Sequence, residues 1–335
     1  MKHGRLDKRK IILAPPSSRP LFEKAVRECR KAPTPGVRNR VKRKRGKTLD
    51  CMARAHRYLK EALRRIYQAS PYIGELHPFY RELVSISINV DEYRRCLAAL
   101  AAAVKVLDRV YRETRRKVAS AEDVDEIVRA RREFFGRTYS VLKRIDRCLG
   151  QLRKAQKTLI QLPEVELDTY TVVIAGAPNV GKSSLLRALS RAKPEVKPYP
   201  FTTKSIIVGH IIEGDKRVQL LDTPGLLDTP LSKKNKIERQ AILAMRHLAN
   251  LLLYVVDVTE QGGYPLEYQR RILDEISGAF PDIERLLVFN KVDIAEREDL
   301  ERARQIVGKE DVAVSALTGK NIEKLKGILL EKATR

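Results

Sequence analysis

The sequence predicts an α/β fold: an open, mostly parallel sheet with helices on both faces, preceded by an all-α bundle and a basic N-terminal arm. Two patterns predict it. In the second half, apolar strand-type runs at 171–175, 205–212, 218–221, 251–258, 286–289 and 312–314 alternate with helix-type stretches. Strands joined by crossover helices make such a sheet, with ligands beyond the carboxyl ends of the strands. In the first half, apolar residues recur at three- and four-residue spacing, the mark of amphipathic helices that bury their stripes on one another. The arm is read as 1–47, the bundle as 48–161 and the sheet domain as 162–335.

In the arm, Pro15, Pro16, Pro33 and Pro35 interrupt the chain, and only Leu21–Lys31 looks helical. Residues 41–47 are nearly all Lys and Arg. With so little apolar surface to offset its ordering entropy, the arm is expected to fold on a polyanion. In the bundle, Tyr58, Leu59, Leu63, Ile66 and Tyr67 mark one face. Asn89 with Glu92 resembles a capping box before the seam Leu97, Leu100, Ala101, Val104, Leu107 and Tyr111. Ser120 with Asp123 starts another helix, which would be roughly 60 Å long if it ran unbroken from about Ala121 to Ile160. Cys29, Cys51, Cys96 and Cys148 lack CxxC or metal spacing and are read as small buried apolar residues in a reducing compartment, although scarce Asn and Gln, no Trp and high charge density lean towards a thermophile, where a cytosolic disulfide is less improbable.

The chemistry sits in the sheet domain. Gly176-Ala177-Pro178-Asn179-Val180-Gly181-Lys182-Ser183 links an apolar strand to a helix that continues with Ser184. Such a turn aims backbone N–H groups inward at the positive end of the helix, a nest for phosphates. Lys182 would reach the β- and γ-phosphates and Ser183 would place its hydroxyl on Mg²⁺. Asp222-Thr223-Pro224-Gly225 follows the next strand; Asp222 is the candidate Mg²⁺ acid and Gly225 the N–H donor to the γ-phosphate. Asn290-Lys291-Val292-Asp293 then decides the base. The Asp293 carboxylate accepts from N1–H and the exocyclic amine of guanine, a donor pair adenine lacks. Asn290 is expected on the base edge, with the stem of Lys291 over the ring. Ser315-Ala316-Leu317 supplies a backbone N–H for the guanine oxygen. Four motifs in this order, each after its own strand, predict a P-loop GTPase domain binding GTP and GDP.

Pro200-Phe201-Thr202-Thr203-Lys204 is the mobile element, where a threonine completes the Mg²⁺ shell when the γ-phosphate is present. Thr203 is the first candidate and Thr202 the alternative. Lys182, Thr203 and Gly225 are thus the candidate catalytic residues. The position where some GTPases carry a water-orienting glutamine is Leu226, so intrinsic hydrolysis is expected to be slow and stimulated by a partner or a monovalent cation. Asn179 is a candidate K⁺ ligand and equally a turn residue tolerant of left-handed geometry.

The net charge is +25, from 67 basic and 42 acidic residues, and almost all of it lies in residues 1–160. Such a footprint points to nucleic acid or an anionic surface. No stretch approaches the roughly 20 apolar residues of a membrane span, and no signal peptide or lipidation pattern is present, so membrane partners are not expected. Candidate RNA contacts are Lys42–Arg45, the face Arg109, Arg112 and Arg116, and the face Lys143, Arg147 and Lys154.

His77-Pro78-Phe79-Tyr80 in the expected bundle, Tyr199-Pro200-Phe201-Thr202-Thr203-Lys204-Ser205 with Val208-Gly209-His210, and Asp222-Thr223-Pro224-Gly225 together carry a specific resemblance. From roughly Pro33 to Leu287 the chain resembles the nucleolar GTP-binding protein family, relatives of the Obg group. The resemblance implies a switch in assembly of the large ribosomal subunit, with the helical domain on rRNA of a pre-ribosomal particle and ribosomal proteins as further partners. Ending at Arg335, the sequence departs from the nucleolar members' long C-terminal extension, which implies a short archaeal-type member, cytoplasmic and monomeric off the ribosome. The alternative function is an RNA-modification or other RNA-binding GTPase reporting to a catalytic partner. His77 and Tyr80 are read as bundle structure rather than chemistry.

Overall fold

The computed structural model describes residues 6–190, 194–199 and 205–334. The chain divides into two units: a helical one of 6–75 with 88–160, and a sheet unit of 76–87 with 161–334. Among the described residues of the first half are the α-helices α1 (Arg19–Arg30), α2 (Arg40–Gln68), α3 (Pro78–Ser87), α4 (Val90–Ser120), α5 (Val124–Arg144) and α6 (Asp146–Gln161).

In the helical unit, α2 packs against α1, α4 and α5, and α4 against α5. The α2 stripe Met52, Ala55, Leu59, Leu63 and Ile66 is fully buried at helical spacing. Asn89 caps α4 by accepting the Glu92 N–H at 2.9 Å. The α4 seam is rotated slightly from expectation: Cys96, Leu100, Ala103, Val104, Leu107 and Val110 are buried, while Leu97, Ala101 and Tyr111 are half-buried. Ser120 is the last residue of α4, and Asp123 itself caps α5 through the Glu126 N–H at 2.7 Å.

Three expectations are corrected in this unit. The arm is not a separate basic tail. Ile11, Ala14, Leu21, Ala25 and Cys29 are buried, and α2 runs straight through the expected boundary at 47/48. The Ala14 N–H donates to Gln156 Oε1 at 2.7 Å and Arg153 donates to the Ala14 carbonyl at 2.8 Å, so α6 satisfies backbone that polyanion binding was expected to order. The long helix to Ile160 breaks at Ile145, where Asp146 Oδ1 accepts both the N–H and the hydroxyl of Ser18 at 2.6 Å. Cys29 and Cys51 form a disulfide joining α1 to α2 across a separation of 22 residues. Crosslinking a loop of that length restricts the unfolded chain by about 3 kcal/mol.

The sheet unit has seven strands among the described residues: β1 (Tyr170–Ala175), β2 (Glu195–Pro198), β3 (Ser205–Glu213), β4 (Lys216–Asp222), β5 (Leu251–Asp257), β6 (Glu284–Asn290) and β7 (Val312–Ala313). Their order is β2-β3-β4-β1-β5-β6-β7. From β4 onwards neighbouring strands are parallel, while β2, β3 and β4 pair antiparallel. Every residue of β5 is buried, as its unbroken apolar run demands of a central strand. Helices α7 (Lys182–Leu189), α8 (Lys236–Leu243), α9 (Leu266–Ala279), α10 (Arg297–Ile306) and α11 (Ile322–Lys332) complete the unit. Among the described residues no helix is long and apolar enough to cross a membrane.

The segment expected as bundle structure, His77-Pro78-Phe79-Tyr80, belongs instead to the sheet unit. It opens α3, which packs on α8 and on the 3₁₀ turn Ala244–His247. Phe79, Tyr80, Leu83 and Val84 are buried there. The Tyr80 hydroxyl donates to the Pro163 carbonyl at 2.9 Å, and Glu82 pairs with Arg246 at 2.7 Å and with His247 at 3.0 Å. Helical periodicity shows that α3 must bury one face; it does not show against what.

Candidate nucleotide site

The chemistry of the loops beyond the parallel strands follows from their backbone. β1 delivers the phosphate loop between β4 and β5. At Gly176, φ is 141° and a Cβ would stand 2.3 Å from the Val255 carbonyl oxygen. At Gly181, φ is 97° and a Cβ would meet Asn290 Nδ2 at 2.2 Å. Only glycine fits either place. Ala177 and Val180 are buried, Pro178 is half-buried, and Asn179 and Ser184 are exposed.

Lys182 is the first residue of α7 and is buried, its Nζ donating to the carbonyls of Gly176 at 2.9 Å and Ala177 at 2.7 Å. Burial lowers its pKa, opposed by the charges of Asp228 and Asp222. The Ser183 hydroxyl donates to Asp222 Oδ2 at 2.6 Å. Burial raises the Asp222 carboxyl, opposed by that hydrogen bond and by Lys182. Asp222 Oδ1 is buried and has no hydrogen-bond partner among the described residues. A buried carboxylate oxygen without a donor, beside a serine hydroxyl at a helix N-terminus, fits a divalent cation.

Beyond β4, the Thr223 hydroxyl donates to the Ile174 carbonyl at 3.1 Å. Pro224 and Gly225 are half-buried, and the Gly225 N–H donates to Asp228 Oδ2 at 2.6 Å. Leu226 and Leu227 are buried, with the Leu227 carbonyl accepting the Gly176 N–H at 3.2 Å. The side chain of Leu226 therefore fills the core. Asp228 went unrecognised in the sequence, since an acid three residues past a glycine has no distinctive signature there.

On the base side Asn290 also carries a scaffold role. Asn290 is buried and both ends of its amide serve the scaffold: Nδ2 donates to the Val180 carbonyl at 2.8 Å, and Oδ1 accepts the Ala316 N–H at 3.0 Å. It braces the phosphate loop to the Ser-Ala-Leu turn, using one of the two N–H donors of its amide. Ser315 is buried and donates its N–H to the Lys320 carbonyl at 3.1 Å. The Val292 N–H donates to the Val314 carbonyl at 3.3 Å, tying the two loops together. Asp293 is exposed, as are Ile294 and Leu317, the latter 87% exposed. Lys291, at φ 64°, places Nζ 2.6 Å from Asp257 Oδ2. Asp257 was also missed, although it ends the apolar strand β5 as Asp222 ends β4. It is buried and accepts the Gly262 N–H at 2.8 Å. Asn179 has φ 62° and its amide nitrogen donates to the Gly262 carbonyl at 3.3 Å. Phe201, Thr202 and Thr203 lie outside the described residues.

The structure thus brings together the phosphate loop, a buried lysine, an acid–serine pair and the two base-side loops, all beyond strand carboxyl ends. Residues 9–166 match the NOG1 N-terminal helical domain, and residues 171–291 match a 50S ribosome-binding GTPase family. An uncharacterized protein of Methanocaldococcus jannaschii is 39% identical over 236 residues, covering 70% of this chain and 66% of that one. Nucleolar GTP-binding protein 1 of Eremothecium gossypii is 34% identical over 275 residues, covering 80% of this chain and 43% of that one. The chain therefore spans less than two thirds of the length of either relative. A solved structure of nucleolar GTP-binding protein 1 from Plasmodium falciparum is 31% identical with a TM-score of 0.44, over 52% of this chain and 90% of that one. The names of the eukaryotic relatives correct one expectation: proteins of this kind are called nucleolar, so a purely cytoplasmic placement does not stand. With a NOG1-type helical domain followed by a GTPase domain, this chain belongs to the nucleolar GTP-binding protein family.

Proposed function

We propose that the chain is a GTP-hydrolysing switch that acts in assembly of the large ribosomal subunit, with its helical unit seated on rRNA. The observation that carries the RNA reading is the unpaired basic surface of that unit. Arg109, Arg112, Arg116, Lys143, Arg147 and Lys154 are all exposed, and none has a carboxylate partner among the described residues. The first turn of α2 holds no acid although Lys and Arg crowd it, an arrangement the helix dipole opposes unless anions come to it. Phosphates satisfy both conditions.

At the nucleotide site, water attacks the γ-phosphate in line while the chain's own groups hold charge and geometry. Lys182 would leave its loop carbonyls for the β- and γ-oxygens, and the Gly225 N–H would donate to the γ-phosphate. Ser183 and Asp222 would hold Mg²⁺, with Thr203 or Thr202 completing its shell; the ion neutralises phosphate charge. The base would lie between the Lys291 stem and the exposed Leu317, read by Asp293.

The RNA reading is tested on the whole chain with Lys42, Arg43 and Lys44 replaced by Ala. Arg45 is left in place, because it donates to the Ala121 carbonyl at 2.6 Å and supports the bundle. The log–log salt slope of binding to large-subunit rRNA should flatten by up to about 2, at roughly 0.7 per phosphate. Nucleotide affinity should stay as it was. An unchanged slope and affinity would remove α2 from the interface.

Hydrolysis should also respond to the monovalent ion. Leu226 is buried and cannot orient water, while the Asn179 amide oxygen has no hydrogen bond among the described residues. Turnover is expected to be faster in K⁺ than in Na⁺, and Asn179→Ala should erase the difference. Equal rates in the two salts would leave Asn179 as a left-handed turn residue and assign stimulation to a partner.

A further inference from the structure

Asp228 has no role in the machinery above, yet it stands where the machinery must act. Its Oδ2 accepts the Gly225 N–H at 2.6 Å, the donor assigned to the γ-phosphate. Its Oδ1 is buried with no hydrogen-bond partner among the described residues. Its charge is the largest influence offsetting burial at Lys182, and it also acts on Asp222. The same glycine is held from its other side, where Lys234 Nζ donates to the Gly225 carbonyl at 2.6 Å. One carboxylate therefore meets the glycine donor and sits within the field of the phosphate-loop lysine.

We propose that Asp228 is a stand-in for the γ-phosphate, a nucleotide-state specificity residue that holds Gly225 in the GDP-like arrangement and must be displaced when GTP binds. An arriving γ-phosphate needs the Gly225 N–H and the charge of Lys182. Two anions in that partly buried space repel strongly, so they cannot share it. GDP carries no group into this place and leaves the Asp228 contact intact. The carboxylate thus lowers affinity for the triphosphate selectively. The adjacent Leu227 carbonyl accepts the Gly176 N–H, which ties this segment to the phosphate loop.

The inference rests on the guanine-nucleotide reading of the same site. The test measures Kd for GDP and for a non-hydrolysable GTP analogue, with Mg²⁺, on the whole chain and on two variants, Asp228→Asn and Asp228→Ala. Asparagine keeps an oxygen for the Gly225 N–H and removes only the charge; alanine removes both. The ratio of the GDP Kd to the analogue Kd should rise about tenfold in Asn and at least as much in Ala, with GDP affinity changed little. A ratio unchanged in both variants overturns the stand-in role, as does a selective loss of analogue binding, which would make Asp228 a positive triphosphate ligand. Equal weakening of both nucleotides by both variants would make it a purely structural residue and also overturns it. If the unaltered chain binds neither nucleotide, the site reading itself falls and the inference with it. Thermal melting of each variant separates these outcomes from misfolding.

Discussion

Lys182→Ala should reduce GTP hydrolysis by about 10²–10³-fold, the cost of losing one preorganised charge donor in a water-poor site. The structure explains why the residue is poised. Its Nζ is held by the carbonyls of Gly176 and Ala177, acceptors that the loop itself supplies. Its burial favours loss of the charge, and an incoming triphosphate restores the preference for the ammonium. Because the two carbonyls lose their donor as well, nucleotide affinity should also fall. Lys182→Arg, which keeps the charge but overfills the buried site, should rescue little. Single-turnover hydrolysis at saturating GTP is the measurement. A rate for Lys182→Ala within about threefold of the unaltered chain would remove this residue from catalysis.

Asp293→Asn should shift the base preference. Loss of a charge-assisted hydrogen bond costs about 1.5–3 kcal/mol, which weakens GTP roughly ten- to 150-fold. Xanthosine triphosphate should gain, because its C2 carbonyl accepts from the new amide. The variant is a clean one: Asp293 is exposed and makes no side-chain hydrogen bond or ion pair among the described residues. Asn290 makes the useful contrast. Its substitution would loosen the braces to Val180 and Ala316 and weaken every nucleotide, whatever the base. Unchanged GTP affinity and no gain for the xanthine nucleotide in Asp293→Asn would sink the assignment of that residue to the base.

Much of the candidate site was legible because its chemistry is local. A phosphate loop is a run of backbone angles that Gly176 and Gly181 permit, and Lys182 and Ser183 follow them at a spacing the helix start imposes. The six strands read from apolar runs all reappear; β2 did not, since Glu195–Pro198 is short, exposed and polar, an edge strand visible only through its pairing with β3. Asp228 and Asp257 were not legible either. An isolated acid acquires a role only from what the fold sets against it, here the Gly225 N–H in one case and the Lys291 ammonium in the other.

Longer-range organisation divides in the same way. The helical character of the first half and the α/β character of the second follow from the period of the apolar residues, which every local stretch carries in itself. The allegiance of each helix does not. Charge and proline content marked the arm, read as 1–47, as unable to order alone, but α6 offers Gln156, Arg153 and Asp146 to its backbone and hydroxyl groups, and Cys51 pairs with Cys29. α3 lies between helices of one unit in sequence and docks on the other, because Phe79, Tyr80, Leu83 and Val84 find their complement on α8 and Ala244–His247. An amphipathic pattern states that a face must be covered; burial is non-directional, so the covering surface depends on shapes brought together from distant parts of the chain.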